Sequence, residues 1–142
     1  MSNPQFLLDT NILSEPLRPV PNSRVMELLV RYSGLMATAS VVFHEMVYGC
    51  YRLPNSRKRQ AIEAYLREEV EMKLLLLPYS TEAAKWHAYE RARLVGFGKT
   101  PSYVDTQIAA ISVVNNLVLV TRNQADYADF QDIRMENWFV DL

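Results

Sequence analysis

The chain has 142 residues, the length of one domain, and folding buries about two thirds of the surface that an unfolded chain of this size exposes. Hydrophobic residues make up 49% and charged residues 22%, with only 4 glycines and 7 prolines; this composition excludes disorder, collagen-like repeats and low-complexity sequence. Lys plus Arg number 15 against 16 Asp plus Glu, a net charge of −1, which excludes a surface that is basic all over and leaves room for a local basic patch. The one cysteine, Cys50, has no internal disulfide partner, and residues 1–5 lack the basic and apolar regions of a signal peptide. No apolar run approaches the ~20 residues of a membrane span. The expectation is a cytoplasmic protein, away from any membrane.

In chain order, Phe6-Leu7-Leu8 reads as a short strand, and Asp9-Thr10-Asn11 after it as a turn into a helix, because these side chains compete for backbone hydrogen bonds. Pro16, Pro19 and Pro21 keep any helix there short, and Val25, Leu28 and Leu29 predict an amphipathic helix starting near Asn22 or Ser23. Leu35–Ala39 reads as a second strand. Ser40 is expected to cap a helix running to about Leu53, and Pro54-Asn55-Ser56 to cap another with a buried stripe of Ile62, Tyr65, Leu66, Glu69 and Val70.

Lys73–Leu77, closed by Pro78, has the pattern of a strand covered on both faces. Ser80 opens a helix to about Gly96, and after the loop 96–99 the spacing predicts a further helix with Thr100 as cap and Pro101 as first residue. Leu117–Val120 and, more weakly, Ile133–Glu136 read as the last strands. Strands alternating with helices predict one α/β domain over residues 1–142, a parallel sheet sandwiched between helices.

In such a sheet, ligands bind beyond the carboxyl ends of the strands, and four acids are placed there. Asp9 follows the first strand, Glu45 lies about a turn and a half into the helix leaving the second, Asp105 is in the first turns of the helix leading to the Leu117 strand, and Asp126 follows that strand. Asp105 shares a helix face with Ile108, Ala109 and Ser112, and Glu45 shares one with Val41, Val42, Tyr48 and Gly49, so both are expected to point inward. Asp9 also suits a helix cap, and Asp126 a cap over Tyr127–Phe130. Several inward carboxylates repel one another unless a cation offsets them, and an oxygen donor set without a Cys or His cluster favours Mg²⁺ or Mn²⁺ over Zn²⁺.

The segments Leu7-Leu8-Asp9-Thr10-Asn11, Ser40-Val41-Val42-Phe43-His44-Glu45, Val104-Asp105-Thr106-Gln107-Ile108-Ala109-Ala110 and Val120-Thr121-Arg122-Asn123-Gln124-Ala125-Asp126-Tyr127 resemble, in order, the motifs of the PIN-domain ribonucleases, and in length best the VapC-type toxins of bacterial toxin–antitoxin pairs. The resemblance runs from Asp9 to Trp138 and implies a Mg²⁺- or Mn²⁺-dependent endoribonuclease acting on structured RNA such as tRNA or rRNA. It implies Asp9, Glu45 and Asp105 as the core acids, Asp126 as the more variable fourth, Thr121 as the Ser or Thr near the metal and Asn11 as a residue behind the ligands. It also implies a cognate antitoxin bound over the site, in a groove to which Tyr48, Tyr51 and Leu53 are candidates to contribute, and a homodimer. Tyr127 stands where Phe or His is commoner.

Thr121 either holds the attacking water or phosphate, or caps the turn after its strand. Arg52, Arg57, Lys58, Arg59 and Arg67, and separately Arg91, Arg93 and Lys99, form basic stretches that suit RNA or a solvated helix face. Arg122, beside the site loop, is the stronger RNA candidate unless it pairs with Asp126 or another site acid. His44 is expected to face away from Glu45, and His87 to be packed or on the surface. The four glycines, at 34, 49, 96 and 98, form neither a dinucleotide-binding nor a Walker pattern, and the Asn at position 11 lacks the acid expected of an aspartyl phosphotransferase. The remaining rival is a non-catalytic RNA- or protein-binding module on the same fold.

Overall fold

The computed structural model describes residues 3–140. Five strands, β1 (Phe6–Leu8), β2 (Met36–Ala39), β3 (Leu75–Leu77), β4 (Val118–Val120) and β5 (Met135–Glu136), form one sheet in the order β3-β2-β1-β4-β5. Every pairing is parallel, with Leu8 opposite Thr38 on one side and Val120 on the other. Six helices connect them: α1 (Thr10–Leu13), α2 (Ser23–Arg31), α3 (Ser40–Tyr51), α4 (Arg57–Tyr65), α5 (Thr81–Gly96) and α6 (Tyr103–Val114). Leu7 and Leu8 point to opposite faces of β1, yet both are fully buried, so helices cover the sheet on both sides, as parallel pairing requires.

The chain leaves β1 towards β2 and β3 on one side, then crosses to β4 and β5 on the other. This reversal opens a crevice beyond the carboxyl ends of β1 and β4, and Asp9 and Thr121 are the residues that follow those two strands.

Several local expectations are corrected. Lys73–Leu77 is not covered on both faces: β3 is shorter, lies at the sheet edge and leaves Leu75 exposed. Ser40 is the first residue of α3 rather than its cap, and Ala39 ends the strand with no side-chain cap. Helix α4 does begin at a Ser56 cap, which accepts from the Arg59 amide. It then widens into a π-helical turn over Leu66–Glu71, which stacks Val70 over Leu66 and swings Glu69 out of the expected buried stripe into an ion pair with Lys73 at 2.8 Å.

Helix α6 starts at Tyr103 with Ser102 as cap, two residues later than Thr100 and Pro101 predict. The Ser102 hydroxyl accepts the Asp105 amide at 3.2 Å, and the Thr106 hydroxyl donates to the Ser102 carbonyl at 2.6 Å. The turn before it uses Gly98 at φ +76°, a conformation in which a side chain is strained. Among the described residues no helix is long and apolar enough to cross a membrane.

Candidate active site

Asp9 is 7% exposed, and burial of a carboxylate demands hydrogen bonds. It has three. Its Oδ1 accepts the Thr10 amide at 2.8 Å, so it caps α1; its Oδ2 accepts the Thr121 hydroxyl at 2.9 Å and the Tyr127 hydroxyl at 3.2 Å. Capping therefore fixes the carboxylate at the crevice instead of competing with a role there.

Thr121 is fully buried. Its hydroxyl gives its proton to Asp9 and receives the Asn123 amide at 3.1 Å and the Asn11 side-chain amide at 3.4 Å. One donor and two acceptor positions exhaust a hydroxyl, which leaves Thr121 to position Asp9 and the loop after β4. Asn11 completes this brace, its Oδ1 accepting the Arg122 amide at 3.0 Å.

Asp105 enters from the first turn of α6, half-buried, with Ile108, Ala109 and Ser112 buried along its face as the periodicity predicts. Its carboxyl pKa is pushed up, first by burial and then by the negative charges of Asp126 and Asp9. Asp126 stands exposed in a 3₁₀ turn over Gln124–Tyr127 and does not cap a helix over 127–130. Among the described residues, no three His, Cys, Asp or Glu side chains stand as a ready-made metal shell: Asp105 is within electrostatic reach of both Asp9 and Asp126, without the three closing around a point.

Tyr127 was not recognised as a site residue from sequence. It is 1% exposed, and its hydroxyl lies 3.2 Å from Asp9 Oδ2 and 3.5 Å from Asp105 Oδ1. Burial and the two adjacent carboxylates drive its pKa far upward, so it keeps its proton and shares it between them. The available signal was a phenol in place of the commoner Phe or His, next to a motif acid.

Glu45 differs from expectation. Its side chain is 46% exposed and does not point inward; of the face it shares, Val42 is buried while Tyr48 and Gly49 are exposed. Its partner is His44, Nδ1 to Oε1 3.6 Å, so His44 does not face away: at this exposed rim the two neighbouring side chains bend together. His87, by contrast, is buried and bonded to the Tyr79 hydroxyl at 2.7 Å.

The basic stretches are committed in part. Arg59 pairs with Glu63 at 2.7 Å, Arg93 with the buried Glu90 at 2.7 Å and Lys99 with Asp129 at 3.0 Å. The Arg122 guanidinium stacks 4.6 Å from the Phe139 ring centre, and no ion pair with a site acid is found for it among the described residues.

A parallel sheet in the order 3-2-1-4-5, with Asp9 and Asp105 at its crossover crevice, places the chain among the α/β proteins that bind their ligands beyond the carboxyl ends of the strands. The chain belongs to the PIN domain family, which matches residues 6–132. It is similar to Toxin FitB of Neisseria gonorrhoeae, 31% identical over 131 residues covering 86% of this chain and 90% of that protein. Ribonuclease VapC2 of Rickettsia felis is 25% identical over 136 residues, covering 94% of this chain and 97% of that protein. Among solved structures, FitAcB from Neisseria gonorrhoeae superimposes with a TM-score of 0.87 at 28% identity, covering 95% of this chain and 99% of that one.

Proposed function

We propose that this chain is a divalent-cation-dependent endoribonuclease acting as the toxin of a toxin–antitoxin pair. The observation that carries the reading is the geometry at the switch point of the parallel sheet: the buried Tyr127 hydroxyl joins Asp9 at 3.2 Å and Asp105 at 3.5 Å, and the Asp105 pKa is raised by burial and by the charges of Asp126 and Asp9. Like charges held together in this way are a cation site in waiting. Asp9, Asp105 and Asp126 would hold the ion, with Glu45 reaching over from α3, and these hard oxygen donors fit Mg²⁺ or Mn²⁺.

When bound, a divalent ion supplies an activated water and offsets charge on the phosphate and leaving oxygen. The chain supplies order. Thr10, Thr121 and Tyr127 fix the Asp9 carboxylate through three hydrogen bonds, Ser102 fixes the backbone that presents Asp105, and Asn11 locks the loop carrying Arg122. Arg122, exposed beside this loop, would meet an RNA phosphate.

The similarity to a protein named a ribonuclease and to one named a toxin supports the same reading. Its substrate is structured RNA, tRNA or rRNA, in the cytoplasm, and its partners are a cognate antitoxin and a second copy of the chain. On α3, Phe43, Val47, Tyr48 and Tyr51 line an apolar surface groove, and an antitoxin helix fits such a surface.

The test is cleavage of labelled tRNA and rRNA fragments by the purified chain in Mg²⁺, Mn²⁺ or a chelator. Cleavage in either metal, its loss in the chelator, and its loss in Asp9→Asn and Asp105→Asn with unchanged circular dichroism are expected. RNA binding without cleavage under all conditions would instead favour a non-catalytic module.

A further inference from the structure

At the start of α6, the helix that presents Asp105, lies an aromatic cluster that the cleavage chemistry does not use. Tyr103 opens α6, two residues ahead of Asp105, and is 54% exposed. One edge of its ring is held: His87, 2% exposed on α5, meets it at a centroid distance of 4.6 Å and an interplanar angle of 60°. His87 is itself locked by the Tyr79 hydroxyl, 2.7 Å from Nδ1. Burial and then Arg91 push the His87 pKa down, so a neutral ring backs the tyrosine.

Arg91, one turn along α5 from His87, places its guanidinium 5.8 Å from the Tyr103 ring centre. Unlike Arg93 and Lys99 of the same stretch, it has no carboxylate partner among the described residues. With Arg93 and Lys99 neutralised by their partners, Arg91 supplies the unbalanced positive charge of this stretch, in which no acid occurs between Arg91 and Val104.

A half-exposed aromatic ring backed along one edge, with a guanidinium over it that no carboxylate engages among the described residues, suits a single-stranded nucleic acid, with a base stacked on the exposed part of the ring and the cation on its phosphate. We infer that Tyr103 and Arg91 form a nucleotide-binding platform flanking the scissile position, on which an unpaired base of the RNA substrate stacks while Arg91 binds the adjoining phosphate. Arg91 and Arg122 then both contribute phosphate contacts to the strand. This inference rests on the ribonuclease reading above and specifies its substrate: a strand with at least one unstacked base at the cut.

The test uses the full chain carrying Asp105→Asn, which the ribonuclease reading expects to cut nothing, in Mg²⁺ with a fluorescein-labelled single-stranded RNA 12-mer of mixed sequence, read by anisotropy across salt concentrations. Adding Tyr103→Ala should weaken binding about ten-fold, the loss of one stacked base, whereas Tyr103→Phe, which keeps the ring, should bind as the parent does. Arg91→Gln should weaken binding and make its salt dependence shallower by about 0.7 in the logarithmic slope, one single-strand phosphate contact fewer. Equal affinities in all variants would overturn the platform and leave RNA binding standing. A parent chain that binds no RNA would remove the ribonuclease reading together with the platform. A change of molar mass on light scattering in Tyr103→Ala, with RNA affinity unchanged, would show that a second copy of the chain covers this face, and would also overturn it.

Discussion

The Tyr127 hydroxyl reaches both the Asp9 and the Asp105 carboxylates, and its single proton can satisfy only one of them fully at a time. Removing it in Tyr127→Phe takes one donor from Asp105, which keeps Ser102, and one of three from Asp9. Groups that orient metal ligands from behind typically cost ten- to a hundred-fold in metal affinity when lost, and we expect about ten-fold weaker Mn²⁺ binding by calorimetry with the RNA KM unchanged; unaltered Mn²⁺ affinity would reduce the phenol to packing.

Asp105 makes a prediction of opposite sign for stability. Because its pKa in the fold lies above the ordinary aspartate value, the ionised form is disfavoured by folding, so the cost is present at neutral pH and is relieved as pH falls through the raised value. Metal-free Asp105→Asn should therefore melt above wild type at neutral pH, with the gap closing in acid. Mn²⁺ should reverse the order, because wild type gains more from binding. Melting curves in chelator and in Mn²⁺ over a pH series check both halves.

At the scale of elements, the start of α6 carries most of the site's accuracy, and sequence placed it two residues early. Pro101 suits a first helical position, but Ser102 competes for the cap and wins because its hydroxyl meets the Asp105 amide while its carbonyl takes the Thr106 hydroxyl. Ser102→Ala should cost about 1 kcal/mol in urea unfolding, the usual size of a lost cap, and should lower cleavage by loosening Asp105.

Helix α5 is pinned differently. Glu90, 1% exposed, accepts two bonds from Arg93 and one from the Gln131 amide, and the Arg93 bonds hold its carboxyl below the usual range despite burial. A lowered folded value means stability that is present above the ordinary glutamate pKa and lost as pH falls through the lowered one. Glu90→Gln should thus cost about 2 kcal/mol at neutral pH, the scale of a charged hydrogen bond, and little in strong acid. The stripe in α4 failed for a different reason: Glu69 fits a regular 3.6-residue spacing, and only the π turn over Leu66–Glu71 removes it, a backbone irregularity without a local sequence signal.

For the whole molecule, the alternation of strand and helix was legible because each buried strand is a short apolar run and each helix has a distinct start. The sheet order was not, since it is set by which long-range pairings bury most surface. Asp9, Asp105 and Asp126 could be placed at one edge from connectivity alone. The exposure of Glu45 could not, because Val42 and Tyr48 on its own face have opposite fates that depend on what packs against α3. Tyr127 was hidden by its chemistry: an aromatic beside a motif acid reads as core until coordinates show where its hydroxyl ends.

The crossover of the chain between β1 and β4 brings Asp105 within electrostatic reach of Asp9 and Asp126, and the proposed activity requires the three to hold a divalent cation together. Calorimetric titration of Mn²⁺ into wild type, Asp9→Asn and Asp105→Asn measures this directly. Saturable binding by wild type, weakened at least ten-fold in each variant, is predicted; no binding by wild type, or equal binding by all three chains, would contradict it.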